Sequence, residues 1–361
     1  MLLVVPDLTV EPLRVAIVGL GVGLGHVHGY KQNRDRFSIV AVADPQESRR
    51  DGTASGLRGV RALSSFEEVL EADDVDVVSI CTPPWLHHEQ ILAALDAGKH
   101  VVAEKPIVGS LQQLDEVIAA AEAADRWVMP VFQYRYGAGI QKVKHLVDQG
   151  VTGTAYVAMA DVAWRRRPEY YAGWRGTWAN ELGGVLLSHS IHALDLLTYV
   201  LGPVASVYAR TAVRVNDVET EDCAVVALEL ADGSLATLSA TLGSAAEISR
   251  HRFSFAHLSA ESGTEAYDHA GDPWEITADS EADQAAIDAA LEGFDPGPDS
   301  WPGQIHRLAD ALDAEEPLPV TLDDARASLE LVTACYRSAA TGERTELPVP
   351  DDDPFYGGWQ P

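Results

Sequence analysis

Two segments of the chain carry the residue types that acid–base chemistry requires. The first, Glu104-Lys105-Pro106, follows a short apolar run. Proline restricts the residue before it to an extended backbone, so the Lys105 side chain is expected to project from the end of a strand. In the second segment His189, His192 and Asp195 recur at i, i+3 and i+6 of an expected helix. Such groups can hold or move a proton, and the second set could also bind a metal ion.

Another apolar run, Val77–Cys81, also ends in polar groups, which begin at Thr82-Pro83 and continue to His87. In a parallel sheet the carboxyl ends of neighbouring strands meet at one edge, beside the crevice that holds the ligand. Thr82, His87 and Lys105 are therefore expected at the same edge of a sheet.

A glycine-rich turn near the start of the chain predicts a dinucleotide site at that edge. The apolar run Val15–Val18 is typical of a buried parallel strand and ends at Gly19, which permits a tight turn. Gly21 would let the backbone approach a pyrophosphate at the N-terminus of the following helix. The usual motif is G-x-G-x-x-G, but Leu24 occupies the third glycine position and Gly25 comes one residue late. The turn is thus either one residue longer or re-registered around Gly21, Val22 and Gly23.

Asp44 follows the expected second strand, Ile39–Ala43. It lies about 20 residues beyond the glycines, where a carboxylate accepts hydrogen bonds from the ribose hydroxyls of a dinucleotide. A carboxylate there repels a 2′-phosphate, which favours NAD over NADP. Pro45 comes next, where an NADP enzyme would more comfortably carry Arg or Ser.

The order of elements predicts two domains of different architecture. Up to residue 131 short apolar strands alternate with helices, which indicates a doubly wound parallel (Rossmann) α/β sheet. Beyond residue 150 strands dominate, around one apolar helix at about 184–200 and two late helices near 301–314 and 322–340. This predicts an α+β domain with a largely antiparallel open sheet. The acidic, Gly- and Pro-rich segment 265–300 is expected to be a surface excursion. The domain boundaries are placed at 12–136 and 137–348, with tails at 1–11 and 349–361.

Composition restricts the partners and the compartment. The 361 residues include 55 acidic and 26 basic side chains, for a formal net charge of −29. This field repels nucleic acid and anionic membranes, so neither is expected as a partner. The sequence contains no apolar run of the roughly 18 residues that a membrane span needs. Its N-terminal segment lacks the basic region of a signal peptide. The widely spaced Cys81, Cys223 and Cys335 are expected to be reduced thiols, which favours a cytoplasmic protein.

The chain resembles the glucose–fructose oxidoreductase/inositol dehydrogenase family, Gfo/Idh/MocA, from about residue 12 to 348. Besides the glycine turn and Asp44, the matching motifs are Thr82-Pro83 with Leu86-His87, Gly98-Lys99-His100 before Glu104-Lys105-Pro106, Phe132–Tyr136, Gly183-Gly184 with His192-x-x-Asp195, and Val218–Asp222. The resemblance implies a Rossmann domain, a sheet-based substrate domain, NAD or NADP, and oxidation or reduction of a sugar, cyclitol or related secondary alcohol.

The resemblance also assigns roles to residues. Lys105 matches the catalytic lysine of the family and His192 its catalytic histidine. A histidine can take the hydroxyl proton as hydride leaves the alcohol, and a lysine ammonium can stabilise the developing alkoxide. Asp195 matches a family position that binds no metal, so no metal site is predicted. The predicted cofactor-binding residues are Gly19, Gly21, Val22, Gly23, Leu24, Asp44, Thr82, Pro83, His87, Glu104 and Lys105.

One departure from the family pattern concerns the proton relay. Relatives often carry an acid four residues before the histidine, in D-x-G-x-H, and this chain has Ser188 there and Ser190 at the glycine. Ser188 and His192 would share one face of a helix, so the hydroxyl could contact substrate or orient the imidazole. The serine cannot supply the missing charge, and His189 could contribute instead.

The segment Trp164–Trp178 is dense in arginine and aromatic residues and is expected to line the substrate side. Aromatic rings stack on the C–H faces of sugars, and guanidinium groups donate to hydroxyls or to a carboxylate. The predicted substrate-binding residues are Tyr134, Arg135, Tyr171, Trp174, Arg175, Ser188, His189 and His192.

Three functions remain open from the sequence. The first is an NAD-dependent sugar or cyclitol dehydrogenase. The second is a glycoside-cleaving enzyme that uses tightly held NAD for transient oxidation at C3 followed by elimination. The third is a non-catalytic dinucleotide- or sugar-binding relative, against which the presence of both Lys105 and His192 argues. A homodimer or homotetramer is expected, because an open sheet covered by helices on one face leaves its other face exposed.

Overall fold

The computed structural model describes residues 11–271 and 273–359, so the predicted N-terminal tail falls outside the described residues except for residue 11. Within these ranges the chain forms two β-sheets, one of six strands and one of eight. The C-terminal segment packs against the body of the protein. Trp359 is buried, its indole stacks on Tyr336, and its Nε1 donates a hydrogen bond to the carbonyl of Leu182.

The first sheet is parallel and confirms the predicted doubly wound fold. Its strands are β1 (Leu13–Val18), β2 (Phe37–Ala43), β3 (Arg61–Leu63), β4 (Val77–Ile80), β5 (His100–Ala103) and β6 (Val128–Pro130), and the intervening helices are α1 (Gly23–Gln32), α2 (Glu47–Ser55), α3 (Phe66–Leu70), α4 (His87–Asp96) and α5 (Leu111–Ala124). The order β3-β2-β1-β4-β5-β6 reverses at β1. A crevice for ligand therefore opens at the carboxyl ends of β1 and β4.

The second sheet is mostly antiparallel, as predicted. Its strands are β7 (Ala155–Arg165), β8 (Val204–Ala212), β9 (Cys223–Leu230), β10 (Leu235–Thr241), β11 (Gly243–Phe255), β12 (Leu258–Glu261), β13 (Glu275–Ala278) and β14 (Thr345–Glu346), and the remaining helices are α6 (Ala138–Asp148), α7 (Trp178–Glu181), α8 (Ile191–Leu201), α9 (Glu281–Leu291), α10 (Ser300–Ala314) and α11 (Leu322–Thr341). In the described chain β10 pairs parallel to β7 and the other neighbours pair antiparallel.

One face of the second sheet is covered and the other is open. Helices α8 and α11 pack on the covered face, where alternate residues of β9 and β10 are buried. The opposite face exposes large apolar side chains, of which Tyr156, Tyr208, Val225 and Leu235 are each 45–58% exposed. This alternation is what a sheet with one solvent-facing side requires.

One sequence expectation for the second domain was wrong, and two elements were missed. The segment 265–300 is not only a surface excursion, because it contains β13 and α9 and buries Ala270 and Trp274. Strand β11 and helix α6 were not predicted at all. In β11 the residues Ser249–Phe255 pair with β7 about 90 positions earlier in the chain, so long-range pairing and not local composition determines it.

The single helix expected at about 184–200 is also interrupted. Residues Val185–His189 form a wide π-helical turn, and α8 begins only at Ile191. Glu221 caps the start of this turn. Its carboxylate accepts the backbone N–H groups of Gly184 and Leu186 at 3.0 Å, and its carbonyl accepts that of Val185 at 2.8 Å. These are the N–H groups that the start of a helix leaves without intrahelical partners.

Helix α10 packs directly on α1 of the first sheet. A Cβ built at Gly25 would lie 2.9 Å from the indole of Trp301, and one at Gly29 would lie 3.1 Å from the carbonyl of the same residue. The two glycines thus allow the close contact between these helices. Within the described ranges no single helix is long and apolar enough to cross a membrane; the bent pair Trp178–His189 and Ile191–Leu201 meets those criteria only when combined.

Candidate active site

The glycine turn has the form that an anion-binding loop needs. Gly19 has φ +88°, and a Cβ there would lie 2.6 Å from the carbonyl oxygen of Cys81. Helix α1 begins at Gly23, where a Cβ would lie 3.2 Å from Ile17 and 3.3 Å from Cys81. Gly23 therefore permits the close helix–strand packing that the third glycine of the motif usually serves. The observed turn is the one re-registered around Gly21, Val22 and Gly23. Gly25 instead allows the close contact of helix α1 with Trp301.

The space around this turn fits a dinucleotide. Apart from Gly21 and its two chain neighbours, no atom of the described residues lies within 4 Å of a Cβ built there, so a pyrophosphate can approach the backbone. Val22 and Leu24 are 43% and 52% exposed and border the same space. Asp44 lies beside the turn, and its carboxylate accepts the N–H groups of Leu20 at 2.9 Å and of Gln46 at 2.8 Å. Each carboxylate oxygen retains acceptor capacity for a ribose hydroxyl.

His87 does not face the crevice as a free ligand, and its predicted role needs correction. The imidazole is buried, with Nδ1 2.8 Å from the carbonyl of Pro106 and Nε2 2.8 Å from that of Thr82. Burial lowers the pKa of His87, and a neutral ring has one N–H to donate. His87 therefore donates to one of these two carbonyls and contacts the other, between the segments that follow β4 and β5. Thr82 in turn donates its hydroxyl to Gln90 at 2.6 Å, and Pro83 precedes the short turn that carries Trp85.

Glu104 belongs to a buried polar cluster beneath the glycine helix. Its Oε1 lies 3.1 Å from His26 Nε2 and accepts the Trp301 indole N–H at 3.2 Å, while His26 Nδ1 lies 2.7 Å from Ser79 Oγ. Burial alone would raise the pKa of Glu104, but the hydrogen bond and charge of His26, with Lys105 and Trp301, outweigh burial and lower it. Glu104 is thus an internal anion that supports the turn, and its contact with the cofactor stays a prediction.

Lys105 extends from the end of β5 to the second domain. Its Nζ donates a hydrogen bond of 2.8 Å to the backbone carbonyl of Ser188. Burial lowers the pKa of Lys105, because removing the ammonium from water disfavours its charge. Ser188 lies in the π-helical turn and not on α8, so the expected shared helix face with His192 is not formed. The Ser188 hydroxyl instead donates to the carbonyl of Gly183 at 3.3 Å.

His192 lies in the first turn of α8 and is buried among rings. It makes edge contacts with Tyr134 and Phe132, at centroid distances of 4.6 and 6.5 Å. Its Nδ1 is buried and has no hydrogen-bond partner among the described residues. Burial, the charge of Lys105 and nearby histidines, including His269, hold its pKa well below the ordinary value. The imidazole is therefore neutral near pH 7 and able to accept a proton.

Arg135 is not available to a substrate, which corrects the sequence expectation. Its guanidinium binds Asp195 through two hydrogen bonds of 2.6 and 2.9 Å and donates to Asp324 at 2.8 Å. Burial opposes the charge on Arg135, but the two carboxylates outweigh burial and raise its pKa. Asp195 is on α8, one turn after His192. The ion pair therefore holds the helix that positions the histidine.

The arginine- and aromatic-rich segment forms a stacked cluster of guanidinium groups and rings. The guanidinium of Arg175 stacks on Trp174 at 4.1 Å and on Tyr170 at 4.6 Å, and that of Arg166 lies 4.9 Å from the same tyrosine. Trp174 packs edge-on against Trp85 of the first domain at 5.2 Å. No carboxylate within the described ranges forms an ion pair or hydrogen bond with Arg175.

His189 and Tyr171 border the same space. The His189 Nε2 lies 3.4 Å from the Tyr170 hydroxyl, its ring packs edge-on against Trp164, and its Nδ1 is buried without a partner among the described residues. Burial and the charges of three cations, Arg166 first, hold the pKa of His189 well below its ordinary value. Tyr171 packs edge-on against Tyr170 at 5.1 Å. The described residues contain no group of three or more His, Cys, Asp or Glu arranged to hold a metal ion.

Sequence reasoning missed several residues of this site. Arg166 and Tyr170 lie inside the predicted segment Trp164–Trp178. The density of arginine and aromatic residues in that segment was the signal that could have identified them. No local pattern marked the others, because they reach the site from distant parts of the chain: His26, Trp85, His269 and Trp301.

The fold and the site together define a two-domain oxidoreductase with an NAD-binding Rossmann domain. The chain belongs to the Gfo/Idh/MocA oxidoreductase family: residues 13–132 match its model "Oxidoreductase family, NAD-binding Rossmann fold", and residues 140–256 match the model of its C-terminal domain. The resemblance seen in the sequence is thereby confirmed.

Relatives of known activity cover part of the chain. D-glucoside 3-dehydrogenase from Escherichia coli K12 is 36% identical over 199 residues, which are 54% of this chain and 56% of that protein. Myo-inositol 2-dehydrogenase from Thermotoga maritima is 28% identical over 232 residues, 63% of this chain and 67% of that protein. The chain thus spans about half to two thirds of these relatives. The structure of the WlbA dehydrogenase from Bordetella pertussis with NADH and UDP-GlcNAcA is 28% identical with a TM-score of 0.82, covering 94% of this chain and 100% of that one.

Proposed function

We propose that the protein is an NAD-dependent dehydrogenase that oxidises a secondary alcohol on the ring of a sugar, glycoside or cyclitol. The observation that carries this proposal is that Lys105 donates a hydrogen bond of 2.8 Å to the backbone carbonyl of Ser188, four residues before the buried His192. The charge of Lys105 is also one cause of the lowered pKa of that histidine. The named activities of the D-glucoside and inositol relatives support the substrate class.

The chemistry follows from the state of the two side chains. A bound nicotinamide would supply the acceptor for the hydride that leaves the carbinol carbon. His192, neutral and with one nitrogen unpartnered, would accept the hydroxyl proton. Lys105, when protonated, would stabilise the alkoxide that forms as this proton leaves, or polarise the ketone in the reverse direction. The rings of Phe132 and Tyr134 pack against the imidazole and would exclude water from it.

NAD is proposed in preference to NADP because of Asp44. The carboxylate lies beside the turn, where it can accept hydrogen bonds from the ribose and repels a 2′-phosphate. The backbone of Gly19–Leu24 would hold the pyrophosphate. Thr82 and Pro83, at the opposite wall of the crevice, would border the nicotinamide side.

The proposed substrate contacts come from the second domain and from one residue near the boundary. Ring stacking would come from Tyr134, Tyr171 and Trp174, and hydrogen bonds from Arg175, Ser188 and His189. Arg175 is the main support for these substrate contacts. Its guanidinium stacks on rings and has no carboxylate partner in the described chain, so its N–H donors are available.

A homodimer or homotetramer is proposed to form through the open face of the second sheet. That face presents Tyr156, Tyr208, Val225 and Leu235 on adjacent strands. A contiguous apolar surface of this kind is stabilised by a second copy.

The experiment is a panel of sugars, glycosides and inositols incubated with the purified protein and NAD, in which NADH absorbance and product are followed together. A dehydrogenase accumulates NADH and ketone in equal amounts. Glycoside cleavage without net NADH would identify the oxidation–elimination alternative. Binding of NAD without any turnover across the panel would contradict the proposal and favour a non-catalytic role.

A further inference from the structure

Arg175 combines a fixed position with unused hydrogen-bond donors. Its guanidinium lies over Trp174 at 4.1 Å and over Tyr170 at 4.6 Å, so two rings hold its plane. Within residues 11–271 and 273–359 its N–H groups donate no hydrogen bond and join no ion pair, and the side chain is only partly buried. A guanidinium presents five N–H donors in a planar fork that matches a carboxylate. The stacked faces therefore leave the edge of this fork for a ligand.

The contacts of the two rings place the fork between the domains. Trp174 packs edge-on at 5.2 Å against Trp85, which follows β4 at the carboxyl edge of the first sheet. The hydroxyl of Tyr170 lies 3.4 Å from His189 Nε2. His189 comes directly after the residue whose carbonyl accepts the Lys105 ammonium at 2.8 Å. The fork thus lies between the cofactor crevice and the segment that binds the lysine.

A second guanidinium lies over the same tyrosine. That of Arg166 is 4.9 Å from the Tyr170 ring, and its Nε is buried without a hydrogen-bond partner in the described chain. Its Nη1 forms an ion pair of 3.4 Å with Glu247, whose side chain is 39% exposed. A buried N–H group without a partner calls for a ligand or a water molecule. Residues 164–178 contain four arginines and one acid, although the whole chain has a net charge of −29.

The buried acids near these cations are already hydrogen-bonded to other groups. Glu181 accepts the backbone N–H of Gly176 at 2.6 Å, and burial raises its pKa. Glu104 belongs to the buried cluster beneath the glycine helix. The pKa of His189 is lowered first by burial and then by the charges of three cations, which is what a locally positive site produces. An anion that enters this space would therefore meet cations with donors to spare.

We propose that Arg175 binds a carboxylate of the substrate, so that the sugar oxidised at this site is an acidic one, such as a uronic acid. The inference rests on the proposed function and narrows its substrate class. The carboxylate would meet the edge of the guanidinium through two parallel hydrogen bonds. Because Trp174 and Tyr170 already hold the fork, little side-chain freedom is lost on binding. A neutral hydroxyl at the same place would form a weaker hydrogen bond.

The test is calorimetry with matched pairs of sugars and protein saturated with NADH, a mixture in which the sugar cannot be oxidised. Each pair is the methyl glycoside of a uronic acid and that of its parent hexose, in the gluco, galacto and manno series, so the members differ only at C6. In at least one pair the acid is expected to bind roughly 10- to 100-fold more tightly than the neutral sugar. This preference should fall as salt is added, because salt screens the charges.

Variants assign the preference to one side chain. Arg175→Met should lower the affinity for the acid far more than that for the neutral glycoside. Arg175→Lys should retain part of the preference, since an ammonium keeps the charge but not the planar fork. The matched control is Arg167→Met, which removes the same charge from an exposed side chain of the same segment and should keep the preference. Circular dichroism and thermal melting establish that each variant is folded.

Equal or tighter binding of the neutral glycoside in every pair would overturn the inference, as would equal losses for both members in Arg175→Met. Tighter binding of the hexose 6-phosphates than of the uronides would also overturn it, in favour of a phosphate. Because calorimetry needs no turnover, the two proposals can fail separately. Binding of a uronide through Arg175 without oxidation of any sugar contradicts only the proposed function. Oxidation of neutral sugars without a preference for acids contradicts only this inference.

Discussion

Replacement of Arg135 by methionine tests whether this arginine is structural or binds substrate. The sequence places it next to Tyr134 in a motif shared with sugar-binding relatives, whereas the structure surrounds it with Asp195 and Asp324. Methionine keeps the unbranched apolar stem of the side chain but ends short of the guanidinium, which lies 5.2 and 5.0 Å from the rings of Phe132 and Tyr199. It removes the charge and the donors.

The expected cost follows from the burial of the partners. Asp195 is 2% exposed and would be left as a buried carboxylate without its cation, whereas the Asp324 side chain is 31% exposed and can be rehydrated. Breaking a buried pair by removing one partner costs about 3–5 kcal/mol of unfolding free energy. Adding Asp195→Asn should recover part of that loss, because the amide does not carry the unpaired charge.

Urea unfolding, followed by circular dichroism, measures the free energy, and steady-state kinetics measures KM for a sugar substrate. Arg175→Met is the control, since that arginine stacks on rings without a carboxylate partner in the described chain. It should change stability by less than about 1 kcal/mol and raise KM. If Arg135→Met keeps the wild-type urea midpoint and raises KM as Arg175→Met does, the structural assignment is refuted.

Four further results are expected. Asp44→Ala should weaken NAD binding and reduce the difference between the affinities for NAD and NADP, both measured by calorimetry. Tighter binding of NADP than of NAD by the wild type would contradict this. Lys105→Ala and His192→Ala should each lower kcat by roughly 10²–10⁴, with NAD affinity unchanged for the histidine variant. Because burial lowers the pKa of His192, oxidation should persist as pH falls below 6.5, and a kcat that falls with a midpoint near 6.5 would show an ordinary imidazole. Wild-type protein should be oligomeric in light scattering, and Val225→Glu with Leu235→Glu should reduce its mass.

The first sheet and the cofactor turn could be predicted because their signals are local. Each strand of the first sheet is a short apolar run between helices, and burial on both faces imposes that composition. The re-registered turn remained ambiguous, since Gly23 and Gly25 are equally plausible third glycines in the sequence. Packing distinguishes them, because Gly23 contacts β1 and Gly25 contacts Trp301.

The second domain was predicted less completely because its strands depend on distant partners. The polar, arginine-containing strand β11 exists through its pairing with β7 and β12, and no hydrophobic run identifies it. The turn before α8 also has a partner from a distant part of the chain. An acid 37 positions away captures the amide of Gly184, and nothing in the helical sequence itself indicates that partner.

The sequence by itself determined the family, the two architectures and the identity of the candidate catalytic pair, Lys105 and His192. These follow from motifs whose chemistry is contained within a few neighbouring residues. Only the tertiary structure decided which polar side chains are free to act. It pairs Arg135 with acids 60 and 189 positions away, and it brings the Ser188 carbonyl to Lys105, 83 positions earlier. The reason is physical: the charge and availability of a buried group depend on what lies within a few ångströms of it, and folding brings those neighbours from anywhere in the chain.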